Sequence, residues 1–338
     1  MKRVTVIAEA GVNHNGDLKT AEALVRAAAE AGADYVKFQM FKASSLSTIG
    51  APQAEYQVQN IGNESSQSEM LKELELDENQ HLHLKDYAEE IGIGFLSSPF
   101  DLESLAKLQK MGLDYMKIPS GEITNRPLLE AIAKRGTPII LSTGMCTMEE
   151  ISDALEVLYD GGVQKSQVTV LHCNTEYPTP LADVNLRAMD SIRERFGCSV
   201  GYSDHTLGEL VPIIATVRGA EMIEKHLTLD QEMSGPDHAA SMEPLEFKLM
   251  VDAIRNVPEV LGESSKKPSA SEKKNIPIAR KSIYFSKNLP SGHQLNSEDF
   301  IMLRPGDGLS PMSYREFLGK TLMKDVREGE ALSKEHVE

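Results

Sequence analysis

Two histidines, His205 and His226, stand 21 residues apart, about one strand–helix unit. On neighbouring strands of a closed barrel they could face one ion, and imidazoles with carboxylates nearby suit a divalent transition metal such as Mn²⁺ or Zn²⁺. The plainer alternative packs one of them on the barrel wall. By contrast, His81 and His83 at i and i+2 of a helical stretch share no face, so they make no metal pair. Lys37 and Lys117 form a second set with the serines Ser98, Ser120, Ser142 and Ser203. A lone lysine usually reaches for solvent, and a lone serine usually caps a helix. Two lysines among several hydroxyls instead describe a basic pocket for a phosphate or a carboxylate. Glu9 and Glu122 are candidates for proton transfer or for holding a substrate hydroxyl.

The elements that must position these groups follow one rhythm over the first 260 or so residues. Short β-branched runs at 4–8, 35–38, 94–96, 115–118, 138–141, 168–171, 199–201 and 222–224 alternate with amphipathic helical stretches. Eight such units predict a (β/α)₈ TIM barrel of class α/β. The competing open sheet announces itself by G-x-G-x-x-G after its first strand, and Ala10-Gly11-Val12-Asn13-His14-Asn15-Gly16 lacks it. A barrel places its chemistry at the C-terminal strand ends. All eight predicted ends are polar, and they carry Glu9, Lys37 with Gln39, Ser98, Lys117 with Ser120, Ser142, the segment from His172 to Tyr177, Ser203 to His205, and His226. Residues 41–77 form a long polar insertion after the second strand, a candidate active-site flap.

At 338 residues the chain suits one large domain and a small one. We expect a barrel over 1–262, an exposed linker over 263–280, rich in Ser and Lys, and a small α+β domain over 281–338. A formal charge of −16 argues against nucleic acid or an anionic membrane as partner, so any phosphate site must be local. Three cysteines, Cys146, Cys173 and Cys198, form neither a disulfide framework nor a metal-ligand spacing, which suits a reducing compartment. The first apolar run is broken by Glu9, and no stretch reaches the roughly 18–20 apolar residues of a membrane span. The expected location is the cytoplasm.

The motifs Ile7-Ala8-Glu9-Ala10-Gly11-Val12-Asn13-His14-Asn15-Gly16, Val36-Lys37-Phe38-Gln39 and Lys117-Ile118-Pro119-Ser120-Gly121-Glu122 occur in that order. Leu141-Ser142-Thr143-Gly144-Met145, Tyr177-Pro178-Thr179-Pro180, Gly201-Tyr202-Ser203-Asp204-His205-Thr206 and Ser234-Gly235-Pro236-Asp237-His238 follow. Together they resemble the bacterial sialic acid synthase family, makers of N-acetylneuraminate and related nonulosonic acids. Leu303-Arg304-Pro305-Gly306-Asp307-Gly308 is similar to that family's C-terminal antifreeze-like (SAF) domain. The resemblance implies a transferase that condenses phosphoenolpyruvate with an open-chain N-acetylated amino sugar and releases phosphate by C–O cleavage. It implies that Lys37, Ser98, Lys117, Ser120, Ser142 and Ser203 bind phosphoenolpyruvate. The sugar would be held by Gln39, Glu122, Tyr177 and Asp237, with Arg304 on its N-acetyl group.

By the same resemblance, Glu9, Glu122, His205 and His226 are catalytic. The two histidines would hold Mn²⁺, with Mg²⁺ or Co²⁺ as alternatives, as a Lewis acid on the sugar carbonyl. The small domain would reach a partner's barrel in a domain-swapped homodimer. N-acetylmannosamine is the expected acceptor, because it serves the commoner family activity. The alternative is N,N'-diacetyllegionaminic acid synthesis from 2,4-diacetamido-2,4,6-trideoxymannose. A metal-dependent aldolase or sugar isomerase would use the histidines and carboxylates without the lysine–serine set. A non-enzymatic ice- or carbohydrate-binding tail on an inert barrel is the third reading.

Overall fold

The computed structural model describes residues 2–48, 50–62 and 66–338. They form two compact units, Met1–Gly262 and Glu263–Glu338. In the first, eight parallel strands are β1 (Thr5–Gly11), β2 (Tyr35–Met40), β3 (Gly94–Pro99), β4 (Met116–Ile118), β5 (Ile139–Ser142), β6 (Val168–Cys173), β7 (Ser199–Asp204) and β8 (Met222–His226). Their hydrogen-bonded order is β3-β2-β1-β8-β7-β6-β5-β4, and β3 and β4 approach one another across the remaining gap. This is the TIM-like barrel expected from the alternation. The outer helices are α1 (Leu18–Glu30), α5 (Glu78–Ile91), α6 (Leu102–Met111), α7 (Arg126–Ala133), α8 (Met148–Asp160), α9 (Ala188–Phe196), α10 (Leu210–Val217) and α11 (Pro244–Leu261). Asp17, Asp77, Asp101 and Thr147 start α1, α5, α6 and α8 by accepting hydrogen bonds from backbone amides of the first turn.

Strand alternation divides the barrel's apolar residues between two places. Val6, Ala8, Val36, Phe38, Val170 and Ile223 face outward and pack under the helices. The intervening Ile7, Leu96, Ile140, Leu171 and Met222, with Tyr35 and Tyr115 against them, fill the interior. Gly201 belongs to this plug because nothing larger fits. A Cβ there would lie 2.3 Å from the Met222 carbonyl oxygen and 2.6 Å from Leu171. Most strands run one to three residues beyond the hydrophobic runs in the sequence. Their polar ends continue the ladder because they are buried against one another.

The insertion after β2 is helical, with α2 (Ala43–Leu46), α3 (Glu55–Ile61) and α4 (Gln67–Glu73). Residues 49 and 63–65 of it lie outside the described residues. Met70 of α4 and Leu74 just after it pack with Val12 and Phe41, which ties the insertion to the β1 and β2 loops.

The second unit pairs β9 (Ser282–Phe285) with antiparallel β10 (Phe300–Leu303) over a core that includes Ile283, Phe285, Leu289 and Leu332. The stretch read as a plain linker carries two four-residue helices, α12 (Ala270–Lys273) and α13 (Ile276–Ala279). A reciprocal Ser269–Glu272 cap nucleates the first, and Pro277 stands in the first turn of the second, local signals that outweigh the missing apolar periodicity. Among the described residues no helix is long and apolar enough to cross a membrane.

Candidate active site

Two residues beyond the apolar plug, each strand turns a side chain of different chemistry toward the barrel mouth. β1 to β4 supply Glu9, Lys37, Ser98 and Lys117, and β5 to β8 supply Ser142, Cys173, Ser203 and Glu224. All eight line one cavity of about 280 Å³. Lys37 Nζ lies 2.6 Å from Glu9 Oε2 and 3.6 Å from Glu224 Oε2. It also donates to Ser98 Oγ at 3.3 Å. Lys117 Nζ donates to Glu224 Oε1 at 3.1 Å, and the Ser203 hydroxyl donates to the same oxygen at 2.9 Å. The pocket expected to be basic is therefore balanced, two lysines against two carboxylates. An alternating strand that ends in charges brings in counter-charges because a buried unpaired ammonium is too costly.

The balance shows in the titration of these groups. Burial raises Glu9 above the ordinary carboxylate range, although Lys37 pulls the other way. Burial would also raise Glu224, but Lys117 and Lys37 outweigh it and hold this carboxyl low. Burial lowers Lys117, whereas on Lys37 the two carboxylates overcome burial and raise it. The Ser142 hydroxyl is buried on this layer without a partner, a donor left for an entering oxyanion.

The next tier toward the mouth holds Gln39, His205 and His226, with Tyr177 and Asp237 on loops. Gln39 Nε2 donates to Glu9 Oε1 at 3.2 Å. The rings of His205 and His226 lie 5.3 Å apart. Tyr177 stacks on His205 at 4.0 Å and meets His226 edge-on at 5.4 Å. His205 Nδ1 is hydrogen-bonded to the Asn174 carbonyl, so it carries the proton and leaves Nε2 as the available lone pair. Burial lowers His205 to about 4 and His226 well below its ordinary value, so both are neutral imidazoles at physiological pH.

His226 Nδ1 is buried without a hydrogen-bond partner, 3.9 Å from Asp237 Oδ2. Two neutral imidazoles with a buried free nitrogen are a donor set that suits a divalent transition metal. Among the described residues no third His, Cys, Asp or Glu completes a cluster, so water or substrate would fill the other positions.

Twelve of the fourteen site residues expected from the sequence line this cavity: Glu9, Lys37, Gln39, Ser98, Lys117, Ser120, Ser142, Tyr177, Ser203, His205, His226 and Asp237. Ser120 Oγ accepts from Gly144 N–H at 2.9 Å and lies 3.2 Å from Cys173 Sγ. Glu122 does not reach the lining, because its Oε2 accepts from Asn125 Nδ2 at 2.6 Å in the turn after β4. Arg304 belongs to the second unit, is exposed, and donates from Nε to the Ala279 carbonyl at 2.9 Å. Sequence reasoning missed Glu224, Cys173 and the insertion's Tyr56, Gln57, Met70, Leu71 and Leu74. For Glu224 the signal was present, since Met222, Glu224 and His226 alternate on one face of β8. All three cysteines are free.

A TIM-like barrel with paired imidazoles above a lysine–carboxylate–serine layer defines an enzyme of the barrel class. Residues 24–266 match the NeuB family and residues 280–338 the SAF domain, and the chain belongs to the NeuB family. It is 48% identical over 332 residues to N,N'-diacetyllegionaminic acid synthase of Campylobacter jejuni, covering 98% of this chain and 99% of that one. The protein of the same description from Legionella pneumophila is 46% identical over 98% of this chain and 94% of its own length. A crystal structure of N-acetylneuraminic acid synthetase from Leptospira borgpetersenii superposes with a TM-score of 0.70 at 34% identity, covering 81% of this chain and 90% of that one. The chain is accordingly a transferase of the sialic and nonulosonic acid synthase type.

Proposed function

We propose that the enzyme condenses phosphoenolpyruvate with 2,4-diacetamido-2,4,6-trideoxymannose to give N,N'-diacetyllegionaminic acid and phosphate. The observation that carries this reading is end-to-end similarity, at 46–48% identity, to two synthases named for that product. It replaces N-acetylmannosamine, the acceptor expected from the sequence. A pocket built of lysines, hydroxyls and carboxylates does not by itself specify the substituents at C4 and C6.

Lys37 and Lys117, with the hydroxyls of Ser98, Ser120, Ser142 and Ser203, hold the phosphate and carboxylate of phosphoenolpyruvate. Glu224 sets the spacing of the two ammonium groups by contacting both. Gln39, Tyr177 and Asp237 orient the sugar so that its carbonyl carbon meets the methylene carbon of phosphoenolpyruvate. Fixing both reactants supplies an advantage of order 7–11 kcal/mol for a well-aligned pair. His205 and His226 would hold a divalent ion, Mn²⁺ as first choice, which when bound polarises the sugar carbonyl. Glu9, shared between Lys37 and Gln39, is placed to hold and return a proton as the new hydroxyl forms and water adds at the enol carbon. Phosphate then leaves with its bridging oxygen. Asn125 Nδ2 donates to Glu122 Oε2 and holds it in the β4 loop beside the lining residues Ser120 and Gly121, from where it would reach the sugar.

We assign the enzyme to the cytoplasm, which its free thiols suit, and to a homodimer. The dimer is supported by an exposed apolar face on α10 and α11, where Leu210, Ile214, Val217, Leu245 and Leu249 meet solvent. The test is phosphate release with phosphoenolpyruvate, Mn²⁺ and each sugar in turn. Release that requires the trideoxy sugar and stops on chelation supports the reading. Release with N-acetylmannosamine alone overturns the acceptor, and release with neither overturns the reaction.

A further inference from the structure

The insertion between β2 and α5 reaches the active-site cavity through a small set of side chains. Tyr56 of α3 stacks on Tyr177 with ring centres 5.0 Å apart, and Tyr177 in turn stacks on His205. Asn60 of the same helix donates to the Pro236 carbonyl at 2.7 Å, beside Asp237. Met70 and Leu71 of α4, with Leu74 just after it, complete the wall. The insertion therefore stands against the residues that hold the acceptor, on the side away from the lysine layer.

The chemistry of that wall is one-sided. Its polar groups lie at the α3 end, where Gln57 Oε1 accepts Ala54 N–H at 3.0 Å and one N–H of Gln57 Nε2 goes to the Tyr56 hydroxyl at 3.3 Å. The rest of the wall, Met70, Leu71 and Leu74, carries no hydrogen-bonding side chain. Val12 and Phe100 extend the same apolar surface from the barrel loops. Met70 and Leu74 also border a second cavity of about 510 Å³ behind α4, so the wall is a partition with space on both sides.

We propose that α3 and α4 are the specificity element of this enzyme, with Met70, Leu71 and Leu74 selecting an acceptor that is deoxygenated and acetylated at its far end over one that carries hydroxyls there. The inference rests on the synthase reading and deepens it. A sugar hydroxyl pressed against Met70, Leu71 and Leu74 gives up water and gains no partner there, whereas a C6 methyl or an acetamido methyl gains contact. An apolar pocket rejects an added hydroxyl about 100-fold, which sets the expected discrimination.

The experiment compares kcat/KM of the full chain with 2,4-diacetamido-2,4,6-trideoxymannose and with N-acetylmannosamine, at saturating phosphoenolpyruvate and Mn²⁺. The wild type should favour the trideoxy sugar about 100-fold. Leu71→Ser and Met70→Gln should each cut that ratio at least about tenfold, with the KM for phosphoenolpyruvate unmoved. Loss of fold lowers both sugars together, so the ratio isolates the wall. The chain contains no tryptophan, so Tyr56→Trp supplies a lone fluorophore on α3. Its emission should shift when the trideoxy sugar is added to the phosphoenolpyruvate complex. A wild type that turns over while the ratio ignores both substitutions, or while the emission stays fixed, removes this inference and leaves the synthase reading intact. Absence of phosphate release with either sugar removes both.

Discussion

Lys37 sits between two carboxylates, 2.6 Å from one and 3.6 Å from the other, so its removal has two separable consequences. An oxyanion substrate loses a charge-assisted bond worth about 1.5–3 kcal/mol, and Lys37→Ala should raise the phosphoenolpyruvate KM roughly 10–100-fold. Glu9 loses its partner, and breaking a buried pair costs about 3–5 kcal/mol of stability. The second effect carries its own pH signature. Lys37, ahead of Lys117, pulls Glu9 down, so in the variant this carboxyl rises further above its unfolded value. The native state then holds a proton that the unfolded state has shed, and stability falls as pH rises through that window. The melting deficit against wild type should be smaller at pH 5 than at pH 8, and a constant deficit would mean that Glu9 bears no unpaired charge. At this scale the site was readable wherever a residue was conspicuous. Lysines, serines and histidines at the ends of apolar runs stand out. Glu224 was readable from its alternation with Met222 and His226 on β8, whereas Cys173, a small thiol, looks like ordinary burial until the opposite wall is known.

Among the elements, the alternation of β-branched runs and amphipathic stretches sufficed for the barrel, since periods of 2 and 3.6 are local properties. The insertion was readable only as long and polar, because α3 and α4 are held by caps and by contact with the β1 and β2 loops. Two packing arrangements give tests at this level. His81 on α5 and His14 in the β1–α1 loop are buried against Phe95 and Phe38, and burial lowers each to about 4. Their folded-state values lie below the unfolded ones, so stability is fully present above pH 6.5 and is lost as pH falls toward 4. The loss is up to about 3 kcal/mol for each histidine. Urea titrations should show this slope, and His81→Gln should reduce it by one histidine's share, because His205 and His226 are lowered in the same direction and keep theirs. On β7 and β8, the register partners Asp204 and Lys225 form a buried ion pair directly beside His205 and His226, and Lys225 also donates to the Thr206 carbonyl at 2.7 Å. Asp204→Leu or Lys225→Met alone should cost about 3–5 kcal/mol by stranding a charge. Asp204→Leu combined with Lys225→Met should cost less than the two single losses added, as a thermodynamic cycle would reveal.

For the whole molecule, the two units have separate cores, and Arg304 stands in the second while the cavity lies in the first. If the tail serves the barrel of a partner chain, as a domain-swapped homodimer with Arg304 on the acceptor would require, the two functions can be placed on different chains. A full-length Lys37→Ala chain keeps its tail but has a disabled barrel, and a chain ending at residue 280 keeps its barrel without the SAF unit. With phosphoenolpyruvate held near the wild-type KM, each alone should have little activity, the first because its KM is raised roughly 10–100-fold and the second for want of acceptor binding. The shortened chain should still melt cooperatively, because the barrel's apolar core draws nothing from residues beyond 262. Mixed after dissociation and reassembly, the two should regain activity, since a mixed dimer pairs one intact barrel with one intact tail. A tail acting on its own chain's barrel predicts no recovery at any ratio, because every intact barrel would lack a tail. Recovery that rises and then falls with the mixing ratio would therefore establish both the dimer and the exchange, through phosphate release alone.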